Sequence, residues 1–124
     1  MTTWLILFLL FVKHFLADFV WQSETMVLGK RQYGQLGGLQ HSALHGALTY
    51  VILMHFLDLQ ACVMLAIIDA VVHYHVDWAK MNITKNYTAD DKQFWFWVGF
   101  DQLLHALTYL VIGFVAAVLM SEYI

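Results

Sequence analysis

Residues 61–78 read ACVMLAIIDAVVHYHVDW, and the reading of this stretch decides the fold. Its length is close to the roughly 20 residues that carry a helix across a bilayer. It holds neither glycine nor proline, yet Asp69, His73 and Asp77 interrupt it at four-residue intervals. Four residues turn an α-helix by about 40° and advance it about 6 Å, so the three groups share one face. Ionisable side chains in a membrane-length segment are expensive to insert and mark function.

Three further apolar runs flank this one, at 3–21, 42–59 and 94–120, and each carries or adjoins its own stripe. His14 and Asp18 lie in the first, His41 and His45 head the second, and Asp101 and His105 occupy the last. The 124 residues are 61% hydrophobic and 12% charged, with no proline. Soluble domains run near 45–50% and 25%. We therefore expect one domain over 1–124, all-α, built as a four-helix transmembrane bundle. No Lys or Arg precedes the first run, and Lys13, His14 and Asp18 interrupt it, so it reads as a span and not a cleaved signal. A net charge of −3 offers no nucleic-acid surface. The single Cys62 excludes an internal disulfide and is expected to pack as a small apolar residue.

Cations lie in two connections only: Lys30 and Arg31 in 23–40, and Lys80, Lys85 and Lys92 in 79–93. The positive-inside bias places both connections in the cytoplasm and both termini outside a bacterial-type inner membrane. Trp21, Trp78, Tyr87 and Trp95 then form the inner aromatic belt, and Trp4 and Tyr123 the outer one. The four glycines of the first connection predict a flexible or re-entrant loop there.

The runs also repeat. His14-Phe15-Leu16-Ala17-Asp18 matches His73-Tyr74-His75-Val76-Asp77, and His45 through Thr49-Tyr50 matches His105 through Thr108-Tyr109 across one deletion. Two hairpins follow, 3–59 and 61–120, related as parallel repeats about an axis along the membrane normal. With alternating helix directions, all four stripes reach the cytoplasmic half of the bilayer and can meet.

The symmetric set is His14, Asp18, His41, His45, His73, Asp77, Asp101 and His105. Imidazole with carboxylate suits zinc, iron or manganese, and eight donors can serve one or two ions. Three intramembrane aspartates cost on the order of 8–10 kcal/mol on insertion scales, which a divalent cation offsets. Asp69 has no repeat partner, its counterpart being Leu10, and is the candidate general base or a hydrogen-bond acceptor for a ligating imidazole. Gln22, Thr49 and Thr108 are candidates for orienting substrate, although threonines in membrane helices also back-bond to their own helix. His55 reads as a boundary residue. His75 points away from His73, and Lys13 either snorkels or pairs with an acid on another helix.

The strings His14-x3-Asp18-x2-Trp21-Gln22, His41-x3-His45, Asp69-x3-His73-x3-Asp77-Trp78-x-Lys80 and Asp101-Gln102-x2-His105 resemble a family of short bacterial and phage membrane proteins, the domain of unknown function numbered 3307. The resemblance implies an integral membrane protein and carries no activity. A looser similarity links the chain to small membrane proteins described as metal-dependent hydrolases, but those carry His-x4-His where His41-x3-His45 stands here. The residues themselves fit three functions. The first is a membrane-embedded, metal-dependent hydrolase of a lipid-like or phosphoester substrate. The second is a cation, proton or small-molecule transporter, which requires a homo-oligomer. The third is a non-enzymatic membrane factor whose polar cluster is interhelical glue. Membrane lipid is the expected partner throughout.

Overall fold

A computed structural model describes residues 1–122. Helix α1 spans Thr2–Phe15 and continues into a π-helical turn, Leu16–Val20. A short α2, Glu24–Gly29, follows, then α3, Leu36–Leu53, α4, Leu59–Ile83, and α5, Lys92–Ser121. The described residues are all-helical, with no strand. Tyr123, assigned to the outer aromatic belt, lies outside them.

Thr2–Val20, Leu59–Ile83 and Lys92–Ser121 are long and apolar enough to cross a membrane. The run expected at 42–59 forms α3 instead at Leu36–Leu53, ending a turn early and leaving His55 in the turn before α4. Gln40, His41, His45 and three glycines dilute its hydropathy, which removes it from the segments that qualify on length and composition. α3 lies along α4, α5 packs on α4 and α1, and α1 also touches α3.

The connection expected to be irregular contains α2, and this is a correction. The Ser23 hydroxyl accepts from the Met26 amide at 3.3 Å, capping a helix whose first turn carries Glu24. Gly29, Gly37 and Gly38 serve close packing, whereas Gly34 takes a left-handed turn at φ 82°. A Cβ on Gly29 would sit 2.6 Å from the Gly38 nitrogen, and one on Gly37 would strike the Thr25 carbonyl. α2 therefore folds back onto the start of α3, and Lys30, the residue after it, becomes buried.

The core changes character along its length. Ile6, Leu10, Leu53, Cys62, Leu65, Ile112 and Ala116 form an apolar cluster with Tyr109. Cys62 is buried there, as its small apolar character requires. The other part of the interior is polar: Lys13, His41, His45, Thr49, Asp69, His73, Asp77, Asp101 and His105 are all at most 4% exposed. The exterior is the reverse, with Trp4, Phe8, Ile67, Val111 and Phe114 at 58–75% exposure. So large an apolar surface around a charged interior inverts the arrangement of a water-soluble domain.

Candidate metal centre

The π turn is the first structural device of the site. Trp21 donates to the Leu16 carbonyl five residues back at 2.8 Å, so the helix widens where Asp18 sits. Such turns are rare and cluster at functional positions. The second device is Gly46. A Cβ there would lie 2.8 Å from the Ala66 carbonyl, so only glycine lets α3 approach α4 this closely. His45 and His73 consequently stack with ring centroids 3.5 Å apart.

Asp18 is the focus. Its Oδ1 lies 2.9 Å from His41 Nε2, 3.0 Å from His45 Nε2 and 3.6 Å from His73 Nε2. His41 Nε2 and His73 Nε2 are 3.1 Å apart, so both cannot carry a hydrogen directed at the other. Asp18, His41, His45 and His73 form one group able to hold a metal ion. Bonds of 2.0–2.1 Å in a tetrahedron place neighbouring ligand atoms about 3.3 Å apart. The measured edges bracket that value.

A second group shares His73. Its Nε2 lies 3.3 Å from Asp77 Oδ2, and Asp77 Oδ1 lies 3.2 Å from His105 Nε2. His105 Nε2 is in turn 3.3 Å from Asp101 Oδ1. The structure thus joins residues from all four stripes in one network.

The remaining candidates occupy different places. His14 lies beside Asp18, with Nε2 at 3.2 Å from Oδ2, yet it belongs to neither metal-competent group. Its Nε2 also meets Gln102 Oε1 at 3.1 Å and its Nδ1 meets the Tyr109 hydroxyl at 2.8 Å. Asp69 accepts from Lys13 at 2.6 Å and from Thr49 at 2.5 Å, both on Oδ2. Of the two choices for Lys13, pairing with an acid on another helix is the one observed. Lys13 also contacts His45 Nδ1 at 3.1 Å, which couples Asp69 to the centre. Gln22 donates to the Asp18 carbonyl, and Thr108 bonds back to the Leu104 carbonyl. His75 is exposed, held by the Val71 carbonyl and the Tyr33 hydroxyl.

The two nitrogens facing away from Asp18 on His41 and His73 are buried without a hydrogen-bond partner. Offering Nε2 as a lone pair puts the ring hydrogen on these partnerless nitrogens, which costs about 1–3 kcal/mol per ring that metal binding must offset.

Sequence reasoning missed three contributors. Lys30 Nζ sits 2.7 Å from Asp77 Oδ2, although it lies outside every apolar run. Lys80 stands 3.8 Å from Asp101. Tyr109 is buried and anchors His14. Two of them left a signal: Tyr109 continues the Asp101, His105 stripe by one more turn, and Lys80 closes the Asp69-x3-His73-x3-Asp77-Trp78-x-Lys80 string.

Fold and site together define an all-helical protein with an apolar exterior around a buried imidazole–carboxylate centre. Residues 6–123 match the family described as "Protein of unknown function (DUF3307)", and the chain belongs to that family. No curated protein and no solved structure matches it.

Proposed function

We propose that the protein is an integral membrane metalloprotein, with α1, α3, α4 and α5 as four spans around one divalent ion, and that its activity is metal-dependent hydrolysis of a lipid-like phosphoester. The carrying observation is the convergence of three Nε2 atoms on one Asp18 oxygen at tetrahedral spacing. α3 qualifies as the fourth span in this reading because His41, His45 and Thr49 are buried and so are hidden from lipid. A bound dication supplies Lewis acidity and a more acidic water. With the ion held by Asp18, His41, His45 and His73, all four tetrahedral positions are filled, so hydrolysis needs expansion to five-coordination to admit water or substrate. Because His73 Nε2 belongs to both groups, one lone pair serves one ion, and the stoichiometry is one per chain.

The test is elemental analysis of detergent-purified protein. One equivalent of zinc, iron or manganese is expected in the wild type, with loss in His41→Ala and in His73→Ala. Absence of metal from the wild type, or unchanged content in both variants, overturns the reading. A second reading is favoured by the unbroken run of polar groups from Asp69 through Lys13, His45, Asp18, His73, Asp77 and His105 to Asp101. Such a run suits cation or proton passage, and metal- or pH-driven flux in liposomes would establish it.

A further inference from the structure

Two donor groups share one imidazole: Asp18, His41, His45 and His73 form the first, and His73, Asp77 and His105 the second. The lone pair of His73 Nε2 serves one ion, so the two positions exclude each other. The groups differ in the ammonium beside them. Lys13 reaches the first at His45 Nδ1, on the side of the ring turned away from Asp18, and its counter-ion is Asp69 at 2.6 Å. Asp69 belongs to neither group, so a metal leaves that pair intact. Lys30 reaches the second group at a ligand, with Nζ 2.7 Å from Asp77 Oδ2. An ion bound to that oxygen would stand within about 5 Å of the Lys30 nitrogen, given metal–oxygen bonds of about 2.0–2.2 Å. The two side chains are only 7% and 4% exposed, so little water screens the repulsion. The segment that delivers Lys30 is also fixed to α4. Asn82 donates to the Arg31 carbonyl at 3.2 Å, and the Gly34 amide donates to the Tyr74 hydroxyl at 2.7 Å. His75 Nδ1 donates to the Val71 carbonyl, which leaves Nε2 to accept from the Tyr33 hydroxyl at 2.9 Å.

Resting on the reading of the centre as a metal site, we infer that Lys30 is a positioning residue: it withholds Asp77 from the ion and so confines the ion to the Asp18 group. Ammonium and metal compete for one carboxylate. With Lys30 docked, the charge of Asp77 is already answered, and an incoming dication meets a fixed positive charge. Asp18 touches only imidazoles, so its charge stays at the disposal of a metal. Removing the ammonium turns Asp77 into an uncompensated ligand beside His73 and His105, and the second group becomes a metal position in its own right. The first group still has four donors against three. Loss of Lys30 alone therefore leaves the ion where it was, and the selection by Lys30 shows once the first group has been weakened by one donor.

The experiment loads detergent-purified wild type and His45→Ala with zinc, the latter alone and combined with Lys30→Met or Lys30→Arg, and counts retained metal after gel filtration. Cobalt(II) loading of the same proteins reports the ligand set by visible absorption. His45→Ala should lose more than the roughly 10-fold in affinity that removing even a hydrogen-bond partner of a ligand costs. Adding Lys30→Met should restore about one equivalent, with a cobalt spectrum unlike that of wild type. Lys30→Arg keeps the charge and should restore nothing. A third substitution, His105→Ala, should empty the rescued protein again, because that ring serves the second group alone. In otherwise wild-type protein His105→Ala should keep both metal and spectrum. A gain of metal on deleting a lysine is not the effect of a merely structural residue. The inference is overturned by metal that stays in His45→Ala while Lys30 is present, by no recovery with Lys30→Met, by equal recovery with Lys30→Arg, or by metal lost from His105→Ala alone. Should Lys30→Met aggregate, Lys30→Gln, which still offers Asp77 a donor, takes its place. If that aggregates too, His105→Ala alone decides, retained metal supporting confinement to the Asp18 group and lost metal refuting it. Wild type without metal sinks the reading on which this rests, whereas one equivalent in wild type and no recovery sinks the role of Lys30 only.

Discussion

Replacing Lys13 by methionine keeps the length of the side chain and its packing near Tyr109, whose ring centroid lies 4.7 Å from Nζ, while removing the ammonium. Asp69, 1% exposed, then keeps Thr49 as a donor but loses the charge 2.6 Å from its Oδ2. Breaking a buried ion pair from one side costs about 3–5 kcal/mol, because the surviving charge stays desolvated. That is a loss of about two to three and a half orders of magnitude in the folding equilibrium. Neutralising the acid in the same background, Lys13→Met with Asp69→Asn, removes the stranded charge while the amide oxygen still accepts from Thr49. Most of the loss should return, with a remainder of about 1 kcal/mol for the exchanged hydrogen bonds. The assay is denaturation in sodium dodecyl sulfate followed by helical circular dichroism, completed as a double-mutant cycle. Lys13→Met as stable as wild type, or a double variant no better than the single one, would refute the reasoning. A strongly coupled pair also defines the role of Asp69: a carboxylate held by an ammonium and a hydroxyl on one oxygen works as a structural counter-ion.

Three further outcomes follow from the geometry. Gly46→Val should drive α3 from α4, costing about 1–3 kcal/mol and abolishing metal retention, since a Cβ would sit 2.8 Å from the Ala66 carbonyl; thermal unfolding and metal content report it. Tyr109→Phe leaves His14 Nδ1 without its 2.8 Å partner and should cost about 1–3 kcal/mol by detergent denaturation, with metal retained because His14 lies outside both donor groups. Stripping the ion with a chelator should lower the apparent melting temperature, and at an ion concentration about 100 times Kd the bound form should gain about 2.7 kcal/mol; a melting curve indifferent to chelation and reloading contradicts this.

The residues legible in the sequence are those that obey helical periodicity. His41 and His45, or Asp101 and His105, must share a face once the run is helical, and their placement needed only the helix. Lys30 obeys no period. It reaches Asp77 because α2 folds back through glycine contacts, a tertiary fact that composition read as a loop. Thr49 and Thr108 show the limit of the repeat. They match in sequence, yet Thr49 donates to Asp69 and Thr108 to its own helix, since the counterpart of Asp69 is Leu10 in α1. Local similarity fixes position along a helix, and partners on other helices decide the bond.

Charge decides what the centre lacks. Asp69 faces Lys13, Asp77 faces Lys30, and Asp101 faces Lys80, so each of the three buried carboxylates has an ammonium nearby, and half-buried Asp18 is the exception. Asp18 makes direct contact only with imidazoles, from His14, His41, His45 and His73, while the nearest ammonium, Lys13, is paired with Asp69. A carboxylate withdrawn from water without a cation is costly, and neutral imidazoles return dipoles but no charge. Neutral rings can each donate Nε2–H to Oδ1 without bringing charge, and a proton on one ring restores the charge without a metal. An ion accepting lone pairs from all four donors supplies the charge and relieves the 3.1 Å approach of His41 to His73. Asp18 is thus the carboxylate to substitute when the two cations are to be told apart. Asp18→Asn keeps an oxygen for hydrogen bonding but removes the charge. It should leave a protonated network folded, whereas metal affinity should fall by at least tenfold.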